Sequence, residues 1–531
     1  MGVTRSRRAF YQPGKDIMKN QFGFCLALSI APFAFASQTP ANFDGPVFGS
    51  IIENKAVYFE SSVELQQRMS AGSLTSAELV QDLLQRIEAL NNNGPQLNAV
   101  IEVNPDALQI AAQMDGERSR GEKRGPLHGI PVLVKDNINT GDKMQTTAGA
   151  LAMVGSPAPH DAFVVKRLRE AGAIIIGKAN LSEWAFFRGE NPPSGWSGRG
   201  GQTLHPYNLS VDPRGSSTGS AVGLAAGFSP LALGTETNGS IIQPAQTNGV
   251  VGLRPTLGLL SRTGLIPLTR RQDTPGPMAR SVTDTAIMLT AMSGTDPLDD
   301  ATGQASTDTV NYFDHLSTDA LRGKRLGYPR LTWDDKSMDD DPDFQKAKIS
   351  LQSAGAILVP IDVPDIDNSP EFGVMLQDFK RELNAYLNTR PGLEVSTLDD
   401  IIAFNTASPS TQVYDQNLLI QSSNTPVDPD YLSKATDLRN VNQQLIDGLV
   451  QQHSLDALVD LSYVSFKGVG AVAGYPGITV PFMRHDDGMP EGLYFLSKAW
   501  DEANLLSYAY ALEQALATSA ASVHSGISQA D

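Results

Sequence analysis

Alternation of helices with apolar strands is the pattern that most constrains the fold of this chain. In "FVVKRLREAGAIIIGKAN", residues 163–180, a helical pattern ends at Gly172 and a buried strand follows at once. The same order of helix, Ala-Gly-Ala and strand returns in residues 344–363, "FQKAKISLQSAGAILVPIDV". Helix termination at glycine explains this likeness without an internal repeat. The alternation predicts an α/β fold with a largely parallel sheet.

An amphipathic helix precedes this region. Thr75 and Glu78 have the spacing of a capping box, and Asn93-Gly94-Pro95 ends the pattern. Apolar residues recur between them at helical intervals: Leu79, Val80, Leu83, Leu84, Ile87 and Leu90. We interpret this helix as a packing element.

The first 36 residues have the features of a secretory signal peptide. In residues 18–36, Lys19 precedes a short apolar run that ends in Ala34-Phe35-Ala36, the small-x-small pattern of a cleavage site. A membrane anchor is the alternative, but the run is short for a span and contains Pro32. We therefore expect cleavage before Ser37 and a periplasmic or secreted protein.

Charge and cysteine content exclude several classes of function. Met18 is a candidate for the true start of the chain. The only cysteine, Cys25, lies within the predicted signal. The net charge of the chain is −17 and becomes −21 after cleavage, so nucleic acid is an unfavourable partner. Without a cysteine the mature protein has no thiolate metal site, and the seven histidines form no HExxH motif.

The mature chain, residues 37–531, contains no long linker and is predicted to be one domain. The segment at about 306–462 is more polar and more helical than the rest. A glycine-rich stretch at 467–474, "KGVGAVAG", lacks the G-x-G-x-x-G spacing of a dinucleotide site, so we expect a loop beside the pocket. An amphipathic helix, "NLLSYAYALEQAL", is predicted near the end.

Two clusters of small residues contain candidate nucleophiles. "GSSTG", residues 215–219, matches G-x-S-x-G with Ser217 in the centre. That motif requires a strand directly before the serine, whereas residues 205–214, "HPYNLSVDPR", are polar and interrupted by proline. The pattern therefore disfavours a nucleophile elbow. Gly and Ser are also ordinary turn formers.

A lysine at the end of a predicted strand offers another base. Lys135 follows three apolar residues in "VLVKDN". A lysine activates a serine if burial keeps it neutral, and α/β sheets present functional groups at strand ends. On these residues alone, a surface lysine stays an open alternative.

The motifs occur together in an order that resembles the amidase signature family of serine hydrolases, and most closely its bacterial peptide amidases. The similar segments are "PLHGIP", "GIPVLVKDN", "AGAIIIGKANLSEWAFFRGEN", "SGWSGRGGQT", "RGSSTGSAVGLAAG", "GTETNGSIIQPA", "TGLIP", "DTPGPMARSVTD" and "AVAGYPGITVP". The resemblance covers most of the mature chain, with a signature core at about 125–290. It implies an amidase signature fold, in which helices cover both faces of a central mixed β-sheet. It also implies a small amide or amidated-peptide substrate, no cofactor, and no membrane insertion once the signal is removed.

The resemblance assigns a Ser-Ser-Lys triad. It places the nucleophile at Ser240, a bridging serine at Ser216 and the base at Lys135, and it implies a cis peptide bond between Gly215 and Ser216. Ser217 supports the lysine. A base that acts near neutral pH requires the pKa of Lys135 to fall from about 10.4 to about 7, which is within the effect of burial.

The same resemblance places the oxyanion hole in the loop before the nucleophile. Its donors are the backbone N–H groups of Thr237, Asn238, Gly239 and Ser240. Asp136 and Glu236 are polar neighbours to which we give structural roles.

Three positions depart from the common family pattern. Asn238 stands where many relatives have Gly, Ile242 where many have Arg, and Arg214 where Gly is common. Because the second glycine and the Gly before the serine cluster shape the backbone, Asn238 and Arg214 bear on the geometry of the loop. None of the three removes a catalytic atom.

Several functions stay open at this stage. A broader hydrolase of aryl, aliphatic or fatty-acid amides is the main alternative, and residues 372–422 are expected to shape the pocket that distinguishes the two. A tRNA-dependent amidotransferase subunit shares the triad but fits poorly with export and negative charge. An exported binding protein without turnover is the non-enzyme alternative.

Overall fold

The structure is a computed structural model that describes residues 56–305, 310–332, 335–461 and 466–527. The predicted signal segment, with Met18, Cys25 and Ser37, lies outside the described residues, so export stays a prediction.

One large β-sheet organises the described chain. It contains eleven strands in the order β1-β3-β2-β6-β8-β7-β12-β13-β11-β9-β10, and β4 and β5 form a separate pair. The strands are β1 (Val100–Val103), β2 (Pro131–Lys135), β3 (Ile174–Ala179), β4 (Trp196–Ser197), β5 (Gly201–Gln202), β6 (Leu231–Glu236), β7 (Val251–Arg254), β8 (Thr274–Ala279), β9 (Arg325–Pro329), β10 (Ile357–Ile361), β11 (Ala457–Leu461), β12 (Gly477–Arg484) and β13 (Pro490–Leu496).

The sheet is mixed, which confirms the architecture implied by the family resemblance. Strand β2 is parallel to β3 and β6, and β9 is parallel to β10 and β11. The other neighbouring pairs of this sheet are antiparallel. The expectation of a largely parallel sheet was therefore wrong. The connection between β12 and β13, for example, is too short for a parallel crossover.

Helices surround the sheet and follow the punctuation of the sequence. The capping box of Thr75 and Glu78 is formed, and Gly172 and Gly355 have φ of +85° and +93° after the helices of the two Ala-Gly-Ala segments. The helices are α1 (Ser62–Ser70), α2 (Ser76–Ile87), α3 (Ala107–Ser119), α4 (Phe163–Glu170), α5 (Thr218–Ala225), α6 (Ile242–Thr247), α7 (Val282–Met292), α8 (Pro342–Ser353), α9 (Pro370–Leu387), α10 (Leu398–Ala407), α11 (Asn417–Asn424), α12 (Tyr431–His453), α13 (Phe466–Ala473) and α14 (Glu502–Ile527).

Alternate residues of β13 show that both faces of the sheet are covered. Leu493 and Phe495 belong to the large core cluster, which includes residues of α7 and α14. Tyr494 and Leu496 belong to a second cluster with residues of α12 and α13. Successive side chains of a strand point to opposite faces, so helices pack on both sides, as the resemblance implied.

The glycine-rich stretch 467–474 is not the predicted loop. Its residues up to Ala473 belong to α13, and Gly474 follows with φ of +75°. It does lie beside the serine-rich region, because a Cβ on Gly468 would come within 3.9 Å of the Asn238 side chain. Within the described ranges, the helices include none that is long and apolar enough to cross a bilayer.

Candidate active site

Lys135 lies at the carboxyl end of β2, in the interior of the protein. Its neighbour β6 runs parallel to it, with Val134 opposite Leu233, so the carboxyl ends of both strands reach the same edge of the sheet. The Lys135 side chain is completely buried. The surface-lysine alternative is therefore wrong.

Four oxygen atoms lie within hydrogen-bond distance of Lys135 Nζ. The hydroxyl oxygens of Ser216 and Ser217 are 2.8 and 2.9 Å away. The carbonyl and hydroxyl oxygens of Thr235 are 3.1 and 3.0 Å away. The structure thus brings together the predicted lysine and two predicted serines, and it adds Thr235, which the sequence motifs did not indicate.

Burial lowers the pKa of Lys135 from its ordinary value to about 7, against the opposing charges of Asp273 and Glu236. A base with this pKa is substantially unprotonated near neutral pH. The environment therefore supplies the neutral amine that a lysine base needs.

The two serines are held at the beginning of α5. The peptide bond between Gly215 and Ser216 is cis, as the resemblance implied. A Cβ at Gly215 would lie 2.5 Å from Ser182 Oγ, so only glycine fits there. No strand lies between β5 and Ser217 in this described part of the chain, which argues against the nucleophile elbow.

Ser217 has a fully determined hydrogen-bond environment. Its hydroxyl donates to the Thr235 carbonyl at 3.0 Å and accepts from the Thr235 N–H at 3.2 Å. The same oxygen can then only accept from Lys135. The structure thus places Ser217 in contact with Lys135, and its supporting role stays a prediction.

The loop from Thr237 to Ser240 brings the third serine to this group. The backbone carbonyl of Ser240 accepts from the Ser217 N–H at 3.0 Å, and Ser240 is 7% exposed. Gly239 adopts a φ of +82°, which favours glycine. In the described structure, the backbone N–H groups of residues 237–240 have no hydrogen-bond acceptor.

Glu236 anchors the loop from behind, as its predicted structural role requires. Its Oε2 accepts from the N–H groups of Ile241 and Ile242 at 2.8 and 3.1 Å. Arg254 donates to the carbonyls of Glu236 and Thr237 at 3.1 and 3.2 Å. These contacts hold the backbone on both sides of the Thr237–Ser240 loop.

The three departures from the family pattern are accommodated. Asn238 does not need a left-handed backbone, because Gly239 takes it, and Ile242 is buried in the core. Arg214 does adopt a left-handed φ of +57°, and its N–H donates to Asp212 at 2.7 Å. The non-glycine residue with a left-handed backbone, Arg214, therefore lies outside the loop 237–240.

A family model described as Amidase matches residues 78–460, which is well over half of the chain. The chain belongs to the amidase signature family. It is an amidase, a hydrolase that acts on amide C–N bonds.

Similar proteins extend this assignment. A probable amidase of Arabidopsis thaliana is 41% identical over 83% of this chain and 87% of its own length. The crystal structure of a peptide amidase from Stenotrophomonas maltophilia is 46% identical, with a TM-score of 0.82 over 86% of this chain and 96% of that one. A subunit of the glutamyl-tRNA(Gln) amidotransferase from Carboxydothermus hydrogenoformans is 30% identical over 86% of this chain and 97% of its own length. Membership alone therefore leaves the substrate of this amidase open.

A cavity of the amidase lies next to the Lys135 group. Its polar lining includes Thr235, Thr237 and Asp273, and its apolar lining includes Trp184 and Ile266. The remaining lining residues are Asn137, Ala148, Ala185, Leu265, Pro267 and Leu268. The lining therefore combines an apolar wall, formed by Trp184, Leu265, Ile266 and Leu268, with polar groups.

The segment 372–422 was expected to shape the pocket, but it does not line this cavity. Phe379 of this segment packs against Trp184 of the cavity lining and against Phe187, with ring centroids 6.2 and 4.8 Å apart. Just before the segment, Glu371 Oε1 accepts from the side chain of Asn238 at 2.9 Å. The segment and the residue before it therefore contact the site indirectly, through Trp184 of the cavity lining and through Asn238.

Asp273 connects the loop 237–240 with the apolar residues that line the cavity. Its carboxylate accepts from the Thr237 hydroxyl at 2.5 Å and from the N–H groups of Leu268 and Thr269 at 2.8 and 3.0 Å. Burial raises the pKa of Asp273 to about 7, against these hydrogen bonds. Its motif "DTPGPMAR" resembles a family segment, but nothing in the sequence indicated this contact.

No group of three or more His, Cys, Asp or Glu residues that could hold a metal ion occurs among the residues described. Asp273 and Glu236, the carboxylates whose charges act on Lys135, accept hydrogen bonds from protein donors.

Proposed function

We propose that this amidase removes ammonia from the C-terminal amide of peptides, through an acyl-enzyme formed on Ser240. The observation that carries the proposal is the buried Lys135, which contacts Ser216 and Ser217 next to the loop that contains Ser240. Similarity to the Stenotrophomonas peptide amidase supports the substrate class.

The hydrogen bonds suggest how the protons are arranged. A neutral lysine has two N–H donors and one lone pair. Ser217 can only accept from it, and the Thr235 carbonyl can only accept as well. The lone pair then faces a hydroxyl, and Ser216 Oγ, 2.8 Å away, is closer than Thr235 Oγ1 at 3.0 Å. Ser216 is therefore the hydroxyl that transfers a proton to Lys135.

Acylation follows from this arrangement. Ser216 gives its proton to Lys135 and takes the proton of Ser240, whose Oγ attacks the amide carbon. The C–N bond then breaks, and ammonia leaves with a proton returned through Ser216. Water attacks the acyl-enzyme by the reverse path and releases the carboxylic acid.

The charge on the carbonyl oxygen is stabilised by the backbone amides of residues 237–240. These amides lack intrachain acceptors in the described structure, so they are free to donate to a substrate oxygen. A single donor of this kind contributes about a hundredfold or more in rate.

The test is ammonia release by the purified protein from a short C-terminally amidated peptide. Ser240→Ala should abolish release while its melting temperature stays close to wild type. Ser220→Ala is a matched control, because Ser220 is also a buried serine but donates to the Leu233 carbonyl instead. Turnover like wild type in Ser240→Ala would falsify the nucleophile.

The two serines that contact Lys135 separate the relay from the elbow. We expect Ser216→Ala to reduce kcat by about a thousandfold, as for loss of a general base, and Ser217→Ala by about tenfold. If Ser217→Ala were inactive while Lys135→Ala and Ser216→Ala stayed active, the elbow at Ser217 would replace the triad.

A second candidate substrate class is favoured by the apolar wall. Leu265, Ile266, Leu268 and Trp184 could also receive an aryl or aliphatic acyl group. Benzamide, hexanamide and a fatty-acid amide belong in the same assay. A higher Ser240-dependent kcat/KM for any of them than for the peptide would favour this class.

We also propose that the protein is exported and cleaved before Ser37, on the strength of the N-terminal pattern alone. N-terminal sequencing of protein from a periplasmic fraction should begin at Ser37. A mature end far from this position would contradict the proposal.

A further inference from the structure

A second cavity, separate in its lining from the one beside Lys135, is surrounded by arginines. It lies between the chain before β8 and the helices α9 and α12. Four arginines line it: Arg262, Arg270, Arg271 and Arg439. The remaining lining residues are Leu257, Ala301, Gln304, Glu382, Ala435 and Thr436.

Two of these arginines are neutralised within the protein. Arg262 forms a two-pronged ion pair with Asp299. Arg271 Nε donates to Asp378 at 3.1 Å. Neither guanidinium therefore needs a ligand to balance its charge.

The other two arginines lack a carboxylate partner. Within the described ranges, no carboxylate oxygen lies within ion-pair distance of Arg270 or Arg439. Arg439 donates instead to the backbone carbonyl of Arg271. Burial, followed by the charges of Arg271 and Arg262, lowers the pKa of Arg439.

The one carboxylate of the lining does not compensate for them. Glu382 accepts from the backbone N–H of Arg270 at 2.7 Å and forms an ion pair with Arg381 at 2.9 Å. Its charge is thus shared with an arginine outside the cavity lining. The cavity keeps an excess of positive charge in a chain whose net charge is −17.

We propose that this cavity binds a small oxyanion of the carboxylate or phosphate class. Guanidinium groups match the oxygen atoms of both anions and form strong charge-assisted hydrogen bonds with them. Arg439 and Arg270 supply the unpaired charge, and the Thr436 hydroxyl and Gln304 amide border the same space. The source is a free anion or an acidic side chain of the substrate.

The position of the cavity connects it to the active site. Arg271, whose carbonyl Arg439 holds, is followed by Gln272 and Asp273. Gln272 donates to Glu371 at 2.7 Å, and Asp273 accepts from Thr237 of the oxyanion loop. An anion that orders Arg439 and Arg271 therefore acts on a segment that contacts the catalytic loop.

Isothermal titration calorimetry of the whole protein tests the proposal. Inorganic phosphate and citrate are titrated separately at an ionic strength held constant with sodium chloride. We expect saturable binding of one anion per chain for at least one of them. Arg439→Met and Arg270→Met should each weaken it by about tenfold or more, the effect of one charge-assisted hydrogen bond.

Two further variants make the result specific. Arg439→Lys keeps the charge and should keep part of the affinity. Arg322→Met removes one positive charge from an exposed arginine that pairs with Asp319 outside the cavity, and it should bind like wild type. Absence of saturable binding, or an equal loss in Arg322→Met, overturns the proposal.

The source of the anion is decided with two amidated peptides that differ only in Glu or Gln before the last residue. This arm depends on the proposed peptide amidase activity, whereas the calorimetry does not. A lower KM for the Glu peptide that disappears in Arg439→Met assigns the site to the substrate. Equal KM values, together with phosphate or citrate binding, assign it to a free anion.

Discussion

Two buried lysines on neighbouring strands have different partners. Lys135 on β2 and Lys178 on β3 lie on paired strands, and both are completely buried. Burial lowers the pKa of Lys135 to about 7 and that of Lys178 to about 8. Burial by itself therefore does not distinguish the lysine that we propose as the base from its neighbour.

Their partners do distinguish them. Lys178 donates to the Ile138 carbonyl at 2.5 Å and to the Thr146 hydroxyl at 2.9 Å, and it lies 3.8 Å from Asp136. Among the described residues, no carboxylate oxygen lies within ion-pair distance of Lys135, whose neighbours include a serine hydroxyl that can give up a proton. Both lysines have a hydroxyl neighbour, so what separates them is the Asp136 carboxylate beside Lys178 and the position of Ser216 and Ser217 next to the loop that contains Ser240.

Replacement of each lysine by methionine should break the comparison most sharply. Lys135→Met should lower kcat for amide hydrolysis by about a thousandfold or more, because the proton acceptor is lost. Lys178→Met should lose activity only in proportion to the folded fraction, because it removes a partner of Asp136. Ammonia release per folded molecule, with folding measured by circular dichroism, checks both. A catalytic defect in well-folded Lys178→Met as large as that of Lys135→Met would remove the distinction.

The stability of Lys135→Met, which we expect to be inactive, tests the comparison of the two lysines further. Keeping this lysine neutral at pH 7, with its pKa lowered from 10.5 to about 7, costs about 4 kcal/mol, so the variant should melt at a higher temperature than wild type. Between about pH 7 and 10.5 the unfolded wild-type chain binds more protons than the folded one. Wild type therefore gains stability as the pH rises, and its deficit relative to the variant should shrink. Urea denaturation at pH 7, 8.5 and 10 measures this; a constant difference would contradict it.

A smaller effect is expected from the charge next to Lys135. Asp273 raises the pKa of Lys135, so Asp273→Asn should lower it and move the acid limb of kcat/KM to lower pH, by less than about one unit because Asp273, with its own pKa of about 7, is only partly charged there. The asparagine oxygen can keep the Leu268 and Thr269 N–H groups, while its NH2 donates to the Thr237 hydroxyl, which can also accept. Asp284→Asn, at a buried carboxylate bonded to Ser62, should leave the limb unchanged. A profile of Asp273→Asn that superimposes on wild type would exclude the electrostatic effect.

Local patterns in the sequence predicted the parts of the fold that depend on neighbouring residues. The Thr75 capping box, the strand that ends at Lys135 and the glycine ends of α4 and α8 arise from residues close in sequence. The strand order did not follow, because helix–strand alternation indicates the parallel pairs but not the antiparallel strands between them. The α13 helix was missed because its glycines resemble a loop.

The candidate site also contains residues that the sequence predicted and residues that it did not. Lys135, Ser216 and Ser217 were proposed from family motifs, and the structure places their polar atoms together. Thr235 was missed because the family motifs did not indicate it, although it is adjacent to Glu236 in one of them. In the structure, both its carbonyl and its hydroxyl lie within hydrogen-bond distance of Lys135. Glu371 could not have been found, since it meets Asn238 across 133 residues of chain and has no local pattern.

That last contact limits how such enzymes can diversify. Helix α9, which leads into the segment expected to shape the pocket, is connected by Glu371 to Asn238 and Gln272, and so to the loop that contains Ser240. The region is therefore not an interchangeable cassette. We expect a chimaera that imports the equivalent helix from another amidase to need a residue at position 238 that matches the imported residue at position 371.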